Sequence, residues 1–346
     1  MGLLITIIVL AICFDFINGF HDSANSIATV VSTKVLRPFI AVVWAAVFNF
    51  IAFFIAKYVI GEFGVAQTVQ NTVVEESVTL HLLVAGMVAA IIWNLLTWWK
   101  GIPSSSSHTL IGGLMGAAIA AQGWNAVHWG TVGFIALFIF LAPLIGFVSG
   151  NIIAILTYWI AKRVKPHKAD KWFKGLQLLS SAGLSIGHGL NDSQKAMGVV
   201  ACAFMAYCNT YHVELANLPH WLKPMDCLPV PEWVPFACFF AMAIGTMSGG
   251  MRIIKTMGNK ITKLTPVEGF CSQTSGAITL LITEMLKVPV STTHVISGGI
   301  MGVGAVKRLS AVRWGVTLEL LTAWIITIPI SALIGAAVYG VMSLFL

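Results

Sequence analysis

Pro103-Ser104-Ser105-Ser106-Ser107-His108-Thr109-Leu110-Ile111-Gly112-Gly113-Leu114-Met115-Gly116 returns 186 residues later as Pro289-Val290-Ser291-Thr292-Thr293-His294-Val295-Ile296-Ser297-Gly298-Gly299-Ile300-Met301-Gly302. The proline, the hydroxyl run, the histidine and the glycine pair keep their places. A second pair of segments precedes these: Gly19-Phe20-His21-Asp22-Ser23-Ala24-Asn25 and, 170 residues on, Gly189-Leu190-Asn191-Asp192-Ser193-Gln194-Lys195. Val127-His128-Trp129-Gly130 returns as Val312-Arg313-Trp314-Gly315, and Pro143 as Pro329. Chance likeness between two apolar stretches does not align such residues in one order. The chain therefore reads as two copies of one unit, 1–165 and 166–346.

Composition fixes the surroundings of that unit. The chain has 346 residues, 58% of them apolar and only 10% charged, with a mean hydropathy of +0.88. A soluble domain carries about 25% charged residues, and this apolar share supplies about ten membrane spans of ~20 residues each. An ordinary cytosolic enzyme and a disordered chain are excluded. The net charge of +7 comes from basic residues in short loops, which signals topology and not a nucleic-acid footprint. The expected surroundings are lipid. The apolar N-terminus lacks a basic n-region and reads as a retained first span, not a signal peptide. Six cysteines lie at 13, 202, 208, 227, 238 and 271 without metal-ligand spacing. Cys208 and Cys227 share one outer loop and form a candidate pair.

Charge sets the orientation. Lys34 and Arg37, the run from Lys162 to Lys174, the group Arg252, Lys255, Lys260 and Lys263, and the group Lys307, Arg308 and Arg313 are placed inside. Glu62, Glu75, Glu76, Glu214, Asp226 and Glu232 fall on the other side. These placements agree only if 80–124 and 268–306 enter and leave by one face as hairpins. Each copy then makes three crossings, at 3–33, 38–61 and 128–161, and at 176–206, 234–251 and 314–345, with a kink or split expected at Pro143. An odd number inverts the second copy. The expected fold is an all-α polytopic membrane protein of inverted-topology repeats, with two re-entrant helical hairpins and interrupted helices, a recurrent construction of secondary transporters.

The polar interruptions at 18–26 and 188–195 are the first candidates for chemistry, since ionisable residues deep in an apolar stretch are functional by default. Gly19 and Gly189 predict a backbone break there, whose free carbonyls and carboxylates (Asp22, Asp192) suit a cation. Simple N-capping by the two aspartates is the structural alternative. The hairpin tips come next. Proline ends one arm and opens the next, so Ser104, Ser105, Ser106, Ser107 and Thr109, and Ser291, Thr292 and Thr293, stand at helix starts, where free N–H groups and the positive dipole end make an anion site. Inverted copies bring both tips to mid-membrane around one small oxyanion. The neighbouring glycines predict close helix packing. His21, His108, His294 and Glu284 are further candidates for a substrate or proton role, with pairing to Lys287 the alternative for Glu284.

Together, GFHDSAN with GHGLNDSQK and PSSSSHTLIGG with PVSTTHVISGG resemble the inorganic phosphate transporter (PiT) family, over nearly the whole chain. The resemblance implies phosphate uptake driven by a cation gradient, no resident cofactor, and a site made of Asp22, Asn25, Asp192 and the two tips. One departure is Lys195 after Gln194, where the first copy has Asn25; sodium-coupled members tend to carry Asn in both copies, and proton-coupled bacterial relatives are similar to the Gln-Lys form. Its amine beside Asp192 and Ser193 can replace one bound cation by a tethered charge. Gln273 is a second departure, since some relatives have Glu there. Proton symport in a bacterial cytoplasmic (inner) membrane is the favoured expectation, with sodium as the alternative ion and sulfate as the alternative oxyanion. The oligomeric state is left open. An intramembrane hydrolase using Ser107 and His108 is the remote alternative; adjacent residues on a helix start point apart.

Overall fold

The computed structural model describes residues 1–61, 63–213, 218–225, 228–288 and 290–345. Among these residues the chain forms α1 (Gly2–Ser32), α2 (Pro38–Ile55, continued by a π turn Ala56–Ile60), α3 (Gly64–Gln70), α4 (Leu80–Lys100), α5 (Ser106–Gln122), α6 (Trp129–Ala161), α7 (Pro166–Tyr211), α8 (Trp233–Ser248), α9 (Met251–Lys255, continued by a π turn Thr256–Lys260), α10 (Pro266–Met285), α11 (Thr292–Lys307) and α12 (Trp314–Met342). No strand occurs among them.

Local chemistry explains the helix ends. Proline opens α2, α7 and α10 in the first turn, where its missing N–H costs nothing. Thr79, Ser105 and Ser291 cap α4, α5 and α11 by accepting from the N–H groups of Leu82, His108 and His294. Thr265 and Glu268 close a capping box on α10. Gly101 ends α4 in the left-handed conformation, at φ 68°, which a residue without Cβ adopts freely.

Polarity is arranged inside out. Asp22, Asn25, Asp192, Lys195 and the serines from Ser104 to Ser107 are buried, whereas Phe39, Leu144, Ile160 and Leu333 are exposed. Among the described residues, five helices are long and apolar enough to cross a membrane: α1, α2 with its π turn, α4, α6 and α12. The exposed apolar belt is the surface an integral membrane protein turns to lipid. Backbone groups within the helices are satisfied there, so side chains and the free N–H groups of the helix starts carry the chemistry of the interior.

Packing is exchange-symmetric between the two copies. Helix α5 packs on α12 and α11 on α6; α1 packs on α8 and α7 on α2; α4 lies on α1 and α10 on α7. Each hairpin is thus held by the long last helix of the other copy. The glycines permit this closeness. A Cβ on Gly116 would lie 1.9 Å from the Ala332 carbonyl oxygen, and one on Gly302 would lie 2.0 Å from that of Phe147.

Several sequence expectations are corrected. Residues 18–26 and 188–195 are not interruptions: α1 and α7 run through them as continuous helix. No half-helix carbonyls face Asp22 or Asp192, which also excludes their capping a following half-helix. Gly19 and Gly189 serve contact instead, since a Cβ at Gly19 would meet the Met242 carbonyl oxygen at 2.1 Å and one at Gly189 that of Asn49 at 2.6 Å. Pro143 does not split the crossing that holds it, because α6 continues for 33 residues and α12 likewise passes Pro329. The outer loop of the first copy carries α3, which packs on α7. Cys208 is free; its suggested partner Cys227 lies outside the described residues, as do Glu62, Glu214, Asp226 and Pro289.

Candidate substrate and ion site

The two hairpin tips meet. Ser107 Oγ donates to the Val290 carbonyl oxygen at 3.4 Å, and Thr293 Oγ1 donates to that of Ser104 at 3.2 Å. These are equivalent positions of the two copies, so the contact is reciprocal. Behind it, the rings of His108 and His294 stack with centroids 5.0 Å apart. Trp324 lies against His294 and donates its indole N–H to the Pro103 carbonyl oxygen at 2.9 Å.

Each tip also binds the aspartate of its own copy. Ser106 Oγ donates to Asp22 Oδ2 at 3.1 Å, and Thr292 Oγ1 donates to Asp192 Oδ2 at 3.2 Å. Asn25 crosses over, its Nδ2 donating at 3.0 Å to both Thr292 Oγ1 and Thr293 Oγ1. Ser105 and Ser291 spend their hydroxyls on capping, so the N–H groups of the first helical residues remain without intrahelical acceptors. Two positive helix ends therefore converge on one place, each equivalent to roughly half a charge.

The aspartates differ in company. His21 Nδ1 lies 2.7 Å from Asp22 Oδ1, and its Nε2 lies 3.0 Å from Thr97 Oγ1, which also accepts from Ser104 Oγ at 2.9 Å. Asp192 is held by the Lys195 ammonium and by His188 Nε2 at 3.2 Å. The His188 ring is set by Asn49, whose Oδ1 lies 3.2 Å from its Nδ1 and whose amide donates to Thr246 Oγ1 at 2.9 Å. Ligand atoms of Asp22, His188 and Asp192 all lie within 4.8 Å of one another. That is a separation one small cation can bridge, and it joins the two copies electrically.

Residues 18–335 match the phosphate transporter family. The chain belongs to that family. It is 46% identical to a probable low-affinity inorganic phosphate transporter of Rhizobium meliloti (strain 1021), over 97% of this chain and 96% of that one. It is 42% identical to one of Bacillus subtilis (strain 168), over 99% and 98%. It is also similar to a solved structure described as the sodium-dependent phosphate transporter, with 26% identity, a TM-score of 0.83 and all of both chains covered. Family and relatives are transporters, not enzymes, so the Ser107–His108 hydrolase reading falls.

Within this transporter the other expected residues divide. Thr109 turns away, its hydroxyl donating to the Ser105 carbonyl oxygen at 2.8 Å. Gln194 leaves the aspartate cluster: its Nε2 donates to Glu284 Oε1 at 2.7 Å and its Oε1 accepts from the Val65 N–H at 3.1 Å. Glu284 thus belongs to a contact between α7, α10 and the start of α3. Ser193 is fully buried and its Oγ has no hydrogen-bond partner. Gln273 ties α10 to α1 through the Ser26 carbonyl oxygen at 3.1 Å.

Sequence reading undervalued three positions. His188 precedes Asp192 by one helical turn, a spacing that signals a shared face. Thr97, in the apolar α4, is the hub between His21 and Ser104. Asn49 is a lone amide in the apolar α2, the pattern of a buried polar group with a fixed partner.

Proposed function

We propose that the protein is a secondary active transporter that imports inorganic phosphate by cation symport through alternating access, with the proton as coupling ion, in a bacterial cytoplasmic membrane. The observation that carries this reading is the reciprocal meeting of the Ser104–Ser107 and Ser291–Thr293 tips between Asp22 and Asp192. Hydroxyls and free N–H groups from two helix starts suit a tetrahedral oxyanion. The adjacent carboxylates repel it until a cation neutralises them, which couples the two ligands. In this reading 1–165 and 166–346 are inverted repeats, and the hairpins are re-entrant with their tips at mid-membrane depth. Contact with Asp22, well inside α1, supports that depth. The 21-residue α4, about 31 Å long, reaches it by tilting or by extending beyond the lipid.

Lys195 supports the proton. Its ammonium compensates Asp192 permanently, leaving Asp22 as the carboxylate whose charge a transported ion must offset. Sodium is the second reading, supported by similarity to a sodium-dependent phosphate transporter. Uptake of labelled phosphate into proteoliposomes under imposed proton or sodium gradients tests the proposal. Accumulation driven by the pH gradient and competed by phosphate over sulfate is expected, and Lys195→Asn should make uptake sodium-dependent. Accumulation that follows only sodium in the unmodified protein overturns proton symport; preference for sulfate overturns the substrate.

A further inference from the structure

Asp15 is fully buried on α1, and among the described residues no N–H or O–H group donates to either carboxylate oxygen, the weakly donating Cys238 thiol being its one polar neighbour from α8. It stands seven residues before Asp22, two helical turns along the same face and about 10 Å along the axis. Asn18, Asp22, Asn25 and Thr29 continue the line at alternating steps of three and four, all of them buried. Asn18 is fully unpartnered, and so are Asn25 Oδ1 and Thr29 Oγ1. One face of α1 thus carries a file of buried polar groups, and among the described residues Asp15, Asn18, Asn25 and Thr29 in it keep hydrogen-bonding capacity open. Lipid offers nothing to such groups, and packing would remove them unless they served a purpose.

The groups around Asp15 are few. From α8 the Cys238 thiol faces it, and from α7 the charges of Asp192 and Lys195 reach it. No lysine or arginine pairs with it among the described residues. A bare carboxylate wholly withdrawn from water and without a cation partner is prohibitively costly, whereas the neutral acid is tolerable. A group with those two states responds to its surroundings by taking up or releasing a proton. In the orientation that the loop charges imply, with the N-terminus of α1 outside, Asp15 is the first acid on this face that a proton from outside meets, and Asp22 is the second.

We propose that Asp15 is a proton-binding site of the coupling path, distinct from the phosphate cradle, which loads from the outer aqueous phase and passes its proton along α1 to Asp22. The transfer conserves charge: the O–H bond of the Asp15 acid breaks, the Asp22 carboxylate gains the proton, and Asp15 returns to the acid form by taking a new one from outside. The distance of about 10 Å between them is too great for a direct hop, so water admitted between the two acids carries the proton as a hydrogen-bonded chain, which the Asn18 amide orients. This inference rests on the proton-symport reading.

The test uses the full-length protein in proteoliposomes with Asp15→Asn and Asp15→Glu. Under a pH step of about one unit at zero membrane potential, the unmodified protein can sustain up to about a tenfold phosphate gradient per coupled proton. Asp15→Asn is expected to lose this accumulation and its pH dependence while still exchanging labelled for unlabelled phosphate at equal concentrations. Asp15→Glu is expected to keep accumulation with a displaced pH midpoint. Wild-type accumulation in Asp15→Asn overturns the inference. If Asp15→Asn fails to fold, an unmoved pH midpoint in Asp15→Glu overturns it; so does loss of exchange together with accumulation in both variants, which marks a structural group. A wild-type protein indifferent to the pH step sinks the proton reading itself, a result recognisable without any variant.

Discussion

Ser106 and Thr292 show how a duplicated residue can be checked against its twin. Each donates one hydroxyl to the buried aspartate of its own copy, at 3.1 and 3.2 Å. A hydrogen bond to a charged group contributes about 1.5–3 kcal/mol, so removing it costs roughly a factor of ten or more in affinity for a ligand held by the same constellation. Ser106→Ala and Thr292→Val are each expected to raise the phosphate KM about tenfold, by similar amounts, with protein levels in the membrane unchanged. Initial uptake rates over a phosphate series measure this. A silent Ser106→Ala beside a dead Thr292→Val would show that the tips do not share one substrate. Asp22, Asp192 and both hydroxyl runs were singled out in the sequence because they repeat, and Asn25 because it lies in the repeated segment. His188 and Asp15 stand opposite Asn18 and Ser185 of the other copy, polar residues of different chemistry that mark them less strongly. Their importance appears only once α7 and α1 are known to be unbroken, so that spacings of four and seven place them below Asp192 and Asp22 on the same faces.

At the scale of elements, the glycines decide how near the hairpins come to the helices that clasp them. Gly116→Ala places a methyl group 1.9 Å from the Ala332 carbonyl oxygen, and Gly302→Ala one 2.0 Å from that of Phe147. Backbone cannot yield as a flexible side chain does, so α5 must separate from α12, or α11 from α6. Overpacking of this kind typically costs about 1–3 kcal/mol. A lower melting temperature in detergent and reduced uptake are expected for each. The control is Gly130→Ala, where nothing lies within 4 Å of the added carbon; equal losses in the control would refute the packing argument. The long helices α1, α2, α4, α6 and α12 followed from apolar runs bracketed by proline, glycine and charge. The expected breaks in α1 and α7 did not, because glycine in a sequence marks both a turn and a close approach, and only the neighbour distinguishes them. Here the neighbours are carbonyls of α8 and α2.

Across the whole molecule, the two copies touch through a reciprocal pair of hydroxyl-to-carbonyl hydrogen bonds at the tips. A phosphate bound between the tips must part them. Cysteines at Ser107 and Val290, oxidised in the membrane, are therefore expected to stop uptake, and a reductant to restore it. The double variant should transport when reduced. Unimpaired uptake after complete cross-linking would mean that the tips move as one body and that the substrate passes elsewhere. That two tips exist and converge was readable from the repetition; the reciprocal Ser107–Val290 and Thr293–Ser104 bonds were not, because they depend on which helices of one copy embrace the other.

Helix α7 runs without a joint from Pro166 to Tyr211, 46 residues, or roughly 69 Å. This exceeds the thickness of the apolar layer about twofold, so one end stands well clear of it, where Lys174 pairs with Asp170 at 2.6 Å and Trp172 is exposed. A stiff shaft with one stretch clear of lipid and with Asp192 and Lys195 just past its midpoint behaves as a lever. Whatever grips or tilts its wet end, whether a lipid headgroup layer or another polypeptide, applies torque directly to the buried amine and its carboxylate.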